Sequence, residues 1–204
     1  GSALAAGDAV KWHGVYDKVL KPMVLSPLIG FAAGGVLMLA ILWLVRRASP
    51  RRVNRGFRLA QIVSSTAMAY GHGVQDAQKT MGVIALALIT TGHLTGDVKE
   101  QGLPFWIIFI CAVAIGLGTY LGGWRVIRTL GKGLVEIESP QGMAAEASAA
   151  SVILASSHLG VALSTTHVAT GSILGTGVGR PGAEVRWKVA VRMISAWVIT
   201  LPAA

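Results

Sequence analysis

Charged residues are scarce in this chain. They make up 13% of its 204 residues, whereas a soluble globular domain carries about 25%. Hydrophobic residues make up 53% of the chain, and its mean hydropathy is +0.62. The apolar runs are too long for the core of a soluble domain. The sequence therefore predicts an all-α integral membrane protein.

Cysteine and acidic residues are also rare. Cys111 is the only cysteine, which excludes an intrachain disulfide and a cysteine zinc site. Nine acidic residues stand against 18 lysines and arginines, a net charge of +9. Such a balance also occurs in nucleic-acid-binding proteins. Here the basic residues crowd into short loops beside apolar runs without an aromatic-basic groove, so we expect no nucleic-acid partner.

Long apolar segments indicate membrane spans, since a hydrocarbon core of about 30 Å needs about 20 helical residues. Residues 25–45 form one uncharged span, 57–91 a longer one and 103–121 a third. Residues 1–24 are predicted to be an external or linker segment before the transmembrane unit 25–204. Both ends of the chain are expected to be cuts through a longer protein.

Basic residues indicate the orientation. Six arginines lie within residues 46–58, here called the arginine loop, whereas residues 92–102 are nearly balanced in charge. Cytoplasmic loops are enriched in lysine and arginine. We therefore predict that the arginine loop is cytoplasmic and that 92–102 is external.

The second span contains a polar interruption, and it is too long for one straight helix. We predict a helix broken at 71–75 at membrane depth. Ionisable residues inside a bilayer are costly and are functional candidates by default. An Asp76–Lys79 ion pair that only holds helices together is the structural alternative. The interruption contains Gly71, His72, Gly73, Gln75, Asp76, Gln78 and Lys79.

Residues 139–179 consist of two segments rich in small residues, with one acid, Glu146, in the first. Neither segment is long enough to span comfortably, and basic residues flank both sides. The pattern predicts a re-entrant helical hairpin. A further span begins within 185–204.

The middle of this hairpin carries a hydroxyl cluster, Ser164, Thr165 and Thr166, before the second half-helix. A helix N-terminus offers unpaired N–H groups and the positive end of the helix dipole. With the hydroxyls, this arrangement predicts an anion site without a fixed positive charge. An ordinary N-cap is the structural alternative.

The histidines do not form a metal motif. His72 and Asp76 have an i, i+4 spacing that metal ligands use, but no third ligand of known spacing follows. His158 and His167 flank the hydroxyl cluster. We interpret them as hydrogen-bond partners or caps, and we predict neither a metal nor a cofactor.

These motifs resemble the inorganic phosphate transporter family, the Pit-type low-affinity permeases, in the C-terminal half. Residues 71–79 resemble the family's Gly-Ala-Asn-Asp motif, and 163–167 resemble its Pro-Val-Ser-Thr-Thr-His motif. Pro140-Gln141-Gly142, followed by Glu146, is similar to its acidic hairpin helix. The resemblance extends from about Arg55 to the end.

Two positions depart from the family pattern. Gln75 stands where asparagine is usual, which keeps the amide but lengthens its reach by one methylene. Leu163 follows Ala162 where Pro-Val is usual. The longer Gln75 side chain would change the geometry of a cation site more than that of a phosphate site.

The resemblance implies one half of an inverted-repeat transporter, multi-pass in the plasma membrane, with phosphate bound near the midplane between the two halves. It implies as partners inorganic phosphate, free or as a metal-phosphate complex, a coupling proton or sodium ion, lipid and the other half. Homo-oligomerisation is left open. The predicted phosphate-binding residues are Asp76, Gln78, Ser164, Thr165 and Thr166. The predicted coupling-ion residues are Asp76, Gln75 and Glu146. The predicted supporting residues are Gly73, His72, Lys79 and His167.

Three other functions fit parts of the sequence. A permease for another oxyanion such as sulfate is disfavoured by Asp76, because protonated phosphate can donate to a carboxylate and sulfate cannot. An intramembrane serine hydrolase would use Ser164 with His167 or His158, but no Gly-x-Ser-x-Gly elbow is present. A purely structural membrane subunit would leave the polar interruption unexplained. We therefore expect a transporter without enzymatic activity.

Overall fold

The structure is a computed structural model that describes residues 16–93, 102–159, 161 and 163–203. The first part of the predicted external segment, and residues 94–101 of the predicted external loop, lie outside the described residues. Orientation across a membrane is therefore still a prediction from charge.

The described residues are organised as α-helices, with one isolated antiparallel bridge between Val135 and Val185. Short π-helical turns, Tyr16–Leu20 and Thr129–Gly133, precede the first helix and follow the third. The α-helices in chain order are α1 Lys21–Val45, α2 Pro50–Thr90, α3 Phe105–Arg128, α4 Ser139–His158, α5 Thr165–Gly179 and α6 Trp187–Ala203.

Two of these helices are long and apolar enough to cross a membrane, over Lys21–Val45 and Phe105–Trp124. They coincide with the predicted spans 25–45 and 103–121. Only 22% and 11% of their most apolar windows are buried inside the protein. A core helix of a soluble protein would be mostly buried, so these exposed apolar faces fit lipid better than water.

The predicted break at 71–75 is absent, because α2 continues without interruption from Pro50 to Thr90. A glycine inside a helix costs only about 1 kcal/mol relative to alanine, so Gly71 and Gly73 do not end it. Gly71 instead allows close approach, since an added Cβ would lie 3.3 Å from Ile153 Cγ2. At 41 residues, α2 is about 60 Å long, which is roughly twice the hydrocarbon thickness.

Helices α4 and α5 form a helical hairpin within the predicted segment 139–179. Its two ends meet, since Arg180 Nη2 lies 2.7 Å from Glu138 Oε1 and the Val135–Val185 bridge lies just outside them. The 20 residues of α4 extend about 30 Å, so this half is longer than the sequence pattern suggested. Entry and exit at one membrane face stays a prediction.

Helix α5 packs against α1 through small residues at every fourth position. A Cβ added at Gly30 would collide with the carbonyl oxygen of Val168, and one at Gly175 would collide with that of Phe31. Ser172 Oγ donates to the Gly30 carbonyl at 3.2 Å. Such small-residue stripes let membrane helices approach backbone to backbone. The two stripes are Ser26, Gly30 and Gly34 on α1, and Gly171, Gly175 and Gly179 on α5.

Candidate functional site

The middle of α2 runs alongside α4 in the same direction. Contacts advance together along both helices, from Ser64 with Glu146 to Gly71 with Ile153 and then to Gln75 with the last turn of α4. This parallel packing places the predicted polar interruption of α2 beside the connection between α4 and α5.

Gln75 links α2 to α4 through side-chain hydrogen bonds. Its side chain is 7% exposed, and the two N–H groups of Nε2 are shared among three acceptors, the Ile153 carbonyl at 3.0 Å, Ser156 Oγ at 3.0 Å and Ser157 Oγ at 2.8 Å. Both serine hydroxyls donate in turn to the Ile153 carbonyl. Because that carbonyl only accepts, the amide nitrogen must face it. The amide oxygen, the atom that a cation would bind, lies outside these three bonds.

We expect Gln75→Leu to destabilise the protein, because a buried amide and its acceptors lose their partners, at about 1–3 kcal/mol. The measurement is the thermal unfolding midpoint of the purified full-length protein. Gln78→Leu is the matched control, since Gln78 is on the same helix and exposed. Equal midpoints for the two variants would show that the Gln75 contacts do not fasten α2 to α4.

Asp76 is more exposed than the neighbouring Gln75. Its carboxylate is 37% exposed, with Oδ2 lying 3.3 Å from His72 Nε2 and Oδ1 3.5 Å from Lys79 Nζ. Both partners are on α2, one turn before and one turn after. The Lys79 ammonium group partly neutralises the Asp76 carboxylate. This contact is the Asp76–Lys79 ion pair given above as the structural alternative. These are long, half-exposed contacts, so Asp76 keeps capacity to accept from a ligand.

The hydroxyl cluster lies at the N-terminus of α5. Ser164 is the extended N-cap residue and makes no capping side-chain bond, while its backbone N–H donates to Ser26 Oγ of α1 at 3.1 Å. Thr165 is buried, whereas Thr166 is exposed. Since no Ser164 cap satisfies the first turn, its N–H groups are available to an anion.

His167 follows the hydroxyl cluster in the chain and contacts α6. Its ring stacks against Trp197 of α6 with centroids 3.9 Å apart, and its Nδ1 is buried without a hydrogen-bond partner among the described residues. Ser164 and His167 share no hydrogen bond in the described structure, so the nucleophile and base that a serine hydrolase requires are not paired.

Glu146 is surrounded by neutral donors. Ser64 Oγ donates to its Oε2 at 2.8 Å, and the Gln61 side chain hydrogen-bonds the same carboxylate. No basic side chain in the described part of the chain forms an ion pair with it. A partly buried carboxylate with neutral partners can take up a proton or a cation without displacing a lysine or arginine.

The structure thus brings some predicted site residues together and leaves others apart. Gln75 reaches the last turn of α4, six residues before the hydroxyl cluster, but no described hydrogen bond or ion pair joins Asp76 to 164–166. His72 and Asp76 acquire no third metal-ligating side chain among the described residues. Sequence reasoning missed Ser64, Ser156 and Ser157, although polar residues at helical spacing in apolar segments were the available signal.

The sequence profile described as the phosphate transporter family matches residues 46–204. The chain belongs to this family. It is similar to the probable low-affinity inorganic phosphate transporter of Mycobacterium bovis, at 55% identity over 96% of this chain and 46% of that protein. The proteins of the same name from Rhizobium meliloti and Bacillus subtilis are 41% and 38% identical, covering 100% and 99% of this chain and 60% of each relative.

The chain therefore spans about half the length of the curated relatives that it matches. No solved structure matches it significantly. Membership of the phosphate transporter family makes this a membrane protein, and its relatives carry the names of transporters rather than enzymes. The serine hydrolase alternative gains no support from them.

Proposed function

We propose that the chain is the C-terminal half of a secondary transporter that moves inorganic phosphate across the plasma membrane, coupled to a proton or a sodium ion. Its family and the names of its relatives support phosphate as the substrate. The observation that carries the proposal is the Gln75 link, because it holds the turn of α2 that bears Asp76 against the tip of the hairpin.

The hydroxyl cluster supplies the anion-binding part of this site. The exposed Thr166 and the first-turn N–H groups of α5 offer donors together with the positive end of the helix dipole. No lysine or arginine lies within 163–167. A site made of neutral donors can bind an anion and still release it, as transport requires.

The acids of α2 and α4 supply the coupling part. Asp76 would accept the proton of bound phosphate or hold a cation, with the Gln75 amide oxygen as a further ligand. Glu146, held by Ser64 and Gln61, is a second position for a proton or sodium ion. We propose that the hairpin is re-entrant from the cytoplasmic face and that an inverted copy of this unit completes the phosphate site from the other half.

Thr166→Ala is expected to weaken phosphate uptake by about ten- to a hundredfold, because one hydrogen bond to a charged ligand is worth about 1.5–3 kcal/mol. Thr166 is exposed, and its backbone carbonyl, which accepts a hydrogen bond from the Thr170 hydroxyl, is unchanged by the substitution. Folding should therefore be preserved. The measurement is the initial rate of labelled phosphate uptake by the full-length protein at matched surface expression.

Thr90→Ala is the control, since Thr90 is an exposed threonine at the end of α2 whose hydroxyl donates only to Ala87. It should leave uptake unchanged. Unaltered uptake by Thr166→Ala would remove Thr166 from the phosphate site.

A further inference from the structure

A cavity of about 260 Å³ lies where the end of α1, the start of α2 and the base of the hairpin meet. It is on the opposite end of the hairpin from the hydroxyl cluster. Most of its wall is apolar, including Met38, Ile41, Val45 and Val53. The proposed transport site does not use it.

The polar end of the cavity contains an unsatisfied donor. Gln141 is fully buried, and its Nε2 has no hydrogen-bond partner in the described structure. Its Oε1 lies 3.5 Å from Arg180 Nη1, which fixes the oxygen toward the guanidinium and leaves the nitrogen as the free donor. Buried donors are normally satisfied, so this N–H group favours a ligand that accepts a hydrogen bond.

The charge around the cavity favours an anion. Arg180 lies against the wall and is paired with Glu138 at 2.7 Å, so these two charges cancel and any excess positive charge comes from the neighbouring segment 46–58. The wall also includes Ala48, Val53 and Asn54, which lie within residues 46–58, the segment named the arginine loop, whose part from Pro50 onward forms the first turns of α2. That loop carries six arginines and no acidic residue.

An apolar wall beside a polar end that holds a buried donor and an arginine matches an amphiphile better than a free inorganic ion. The cavity is also at the end of the apolar helix α1, where a span meets the headgroup region. We propose that it binds an anionic phospholipid of the leaflet that faces the arginine loop. The phosphodiester accepts hydrogen bonds from Gln141 and Arg180, and the upper part of one acyl chain packs against the α1 and α2 walls. Basic pockets between membrane helices are a known means of binding anionic headgroups.

The test is lipid binding to the purified full-length transporter by native mass spectrometry, with dioleoyl phosphatidylglycerol and dioleoyl phosphatidylcholine as probes. The wild-type protein should retain phosphatidylglycerol over phosphatidylcholine. Gln141→Met and Arg180→Gln should each weaken phosphatidylglycerol binding about tenfold, the effect of one hydrogen bond to a charged group. Val53→Phe fills the apolar part without touching either donor, and it should also release the lipid.

Matched controls separate the cavity from general surface effects. Thr90→Met changes an exposed polar residue at the end of α2, and Arg128→Gln removes an exposed arginine at the end of α3 that lies over Trp124. Both should bind phosphatidylglycerol like the wild type. Equal retention of the two lipids by the wild type, unchanged binding in all three cavity variants, or displacement of the lipid by millimolar inorganic phosphate would each overturn the proposal. The last result would identify a site for free phosphate.

Discussion

Asp76→Asn is expected to reduce cation-coupled phosphate uptake by about a hundredfold or more, a larger loss than that of Thr166→Ala. The substitution keeps the shape of the side chain but removes its charge and places an N–H donor where phosphate or the cation requires an acceptor. It also leaves the Lys79 and His72 contacts without an acid. The measurement is labelled phosphate uptake by the full-length transporter in cells that lack other phosphate systems.

Asp17→Asn is the matched control for this change. Asp17 precedes α1 and pairs with Lys21 in an exposed i, i+4 contact, and exposed ion pairs contribute only about 0–1 kcal/mol. Uptake by this variant should be normal. Normal uptake by Asp76→Asn at normal surface expression would remove the central residue of the proposed site.

Gly175→Ala is expected to lower the stability of the folded transporter by about 1–3 kcal/mol, the usual cost of an overpacked site. The added methyl group would collide with the backbone carbonyl of Phe31. Backbone cannot rotate away as a flexible side chain can, so α1 and α5 must separate. The thermal unfolding midpoint of the purified full-length protein measures the effect.

Gly56→Ala provides a control with the opposite sign. Gly56 lies in the exposed first turns of α2, where an added Cβ meets nothing within 4 Å. Alanine in an exposed helix interior is favoured over glycine by up to about 1 kcal/mol. This variant should therefore unfold at an equal or higher temperature. If both glycine variants shifted the midpoint alike, the close α1–α5 packing would be wrong.

Local patterns in the sequence were sufficient for the features that depend on local composition. The apolar runs at 25–45 and 103–121 coincide with α1 and α3, and the small-residue segments of 139–179 coincide with α4 and α5. The hydroxyl cluster was correctly located at the start of a helix, because serine and threonine next to an apolar run mark an N-terminus.

The error at 71–75 arose from a long-range contact. A run of glycines and polar residues in an apolar segment suggested exposed backbone, but Gln75 finds its acceptors 78 to 82 positions later in the chain. A single sequence does not show that pairing, so the polar residues were interpreted as a break in the helix. The close packing of the α1 and α5 stripes was likewise not predicted, because it depends on which small residues oppose each other.

The lipid cavity shows the same limit, since it requires three separated segments to meet. Gln141 gave no sign of being an unsatisfied donor in the sequence, because that depends on the burial of its amide between α1 and the hairpin base. The location of a helix could thus be predicted from its own residues. The hydrogen bonds between separate helices could not be predicted, because they depend on how those helices pack.

Accumulation of phosphate in sealed vesicles measures cation-coupled transport without any other phosphate system present. The full-length transporter is reconstituted, a proton or sodium gradient is imposed, and labelled phosphate is followed with and without excess sulfate. We predict accumulation above equilibrium that collapses when an ionophore removes the coupling gradient and that sulfate does not suppress. Phosphate that only equilibrates under either gradient would show that transport is not coupled to a cation, and uptake that sulfate inhibits as strongly as unlabelled phosphate does would show that the site does not select phosphate.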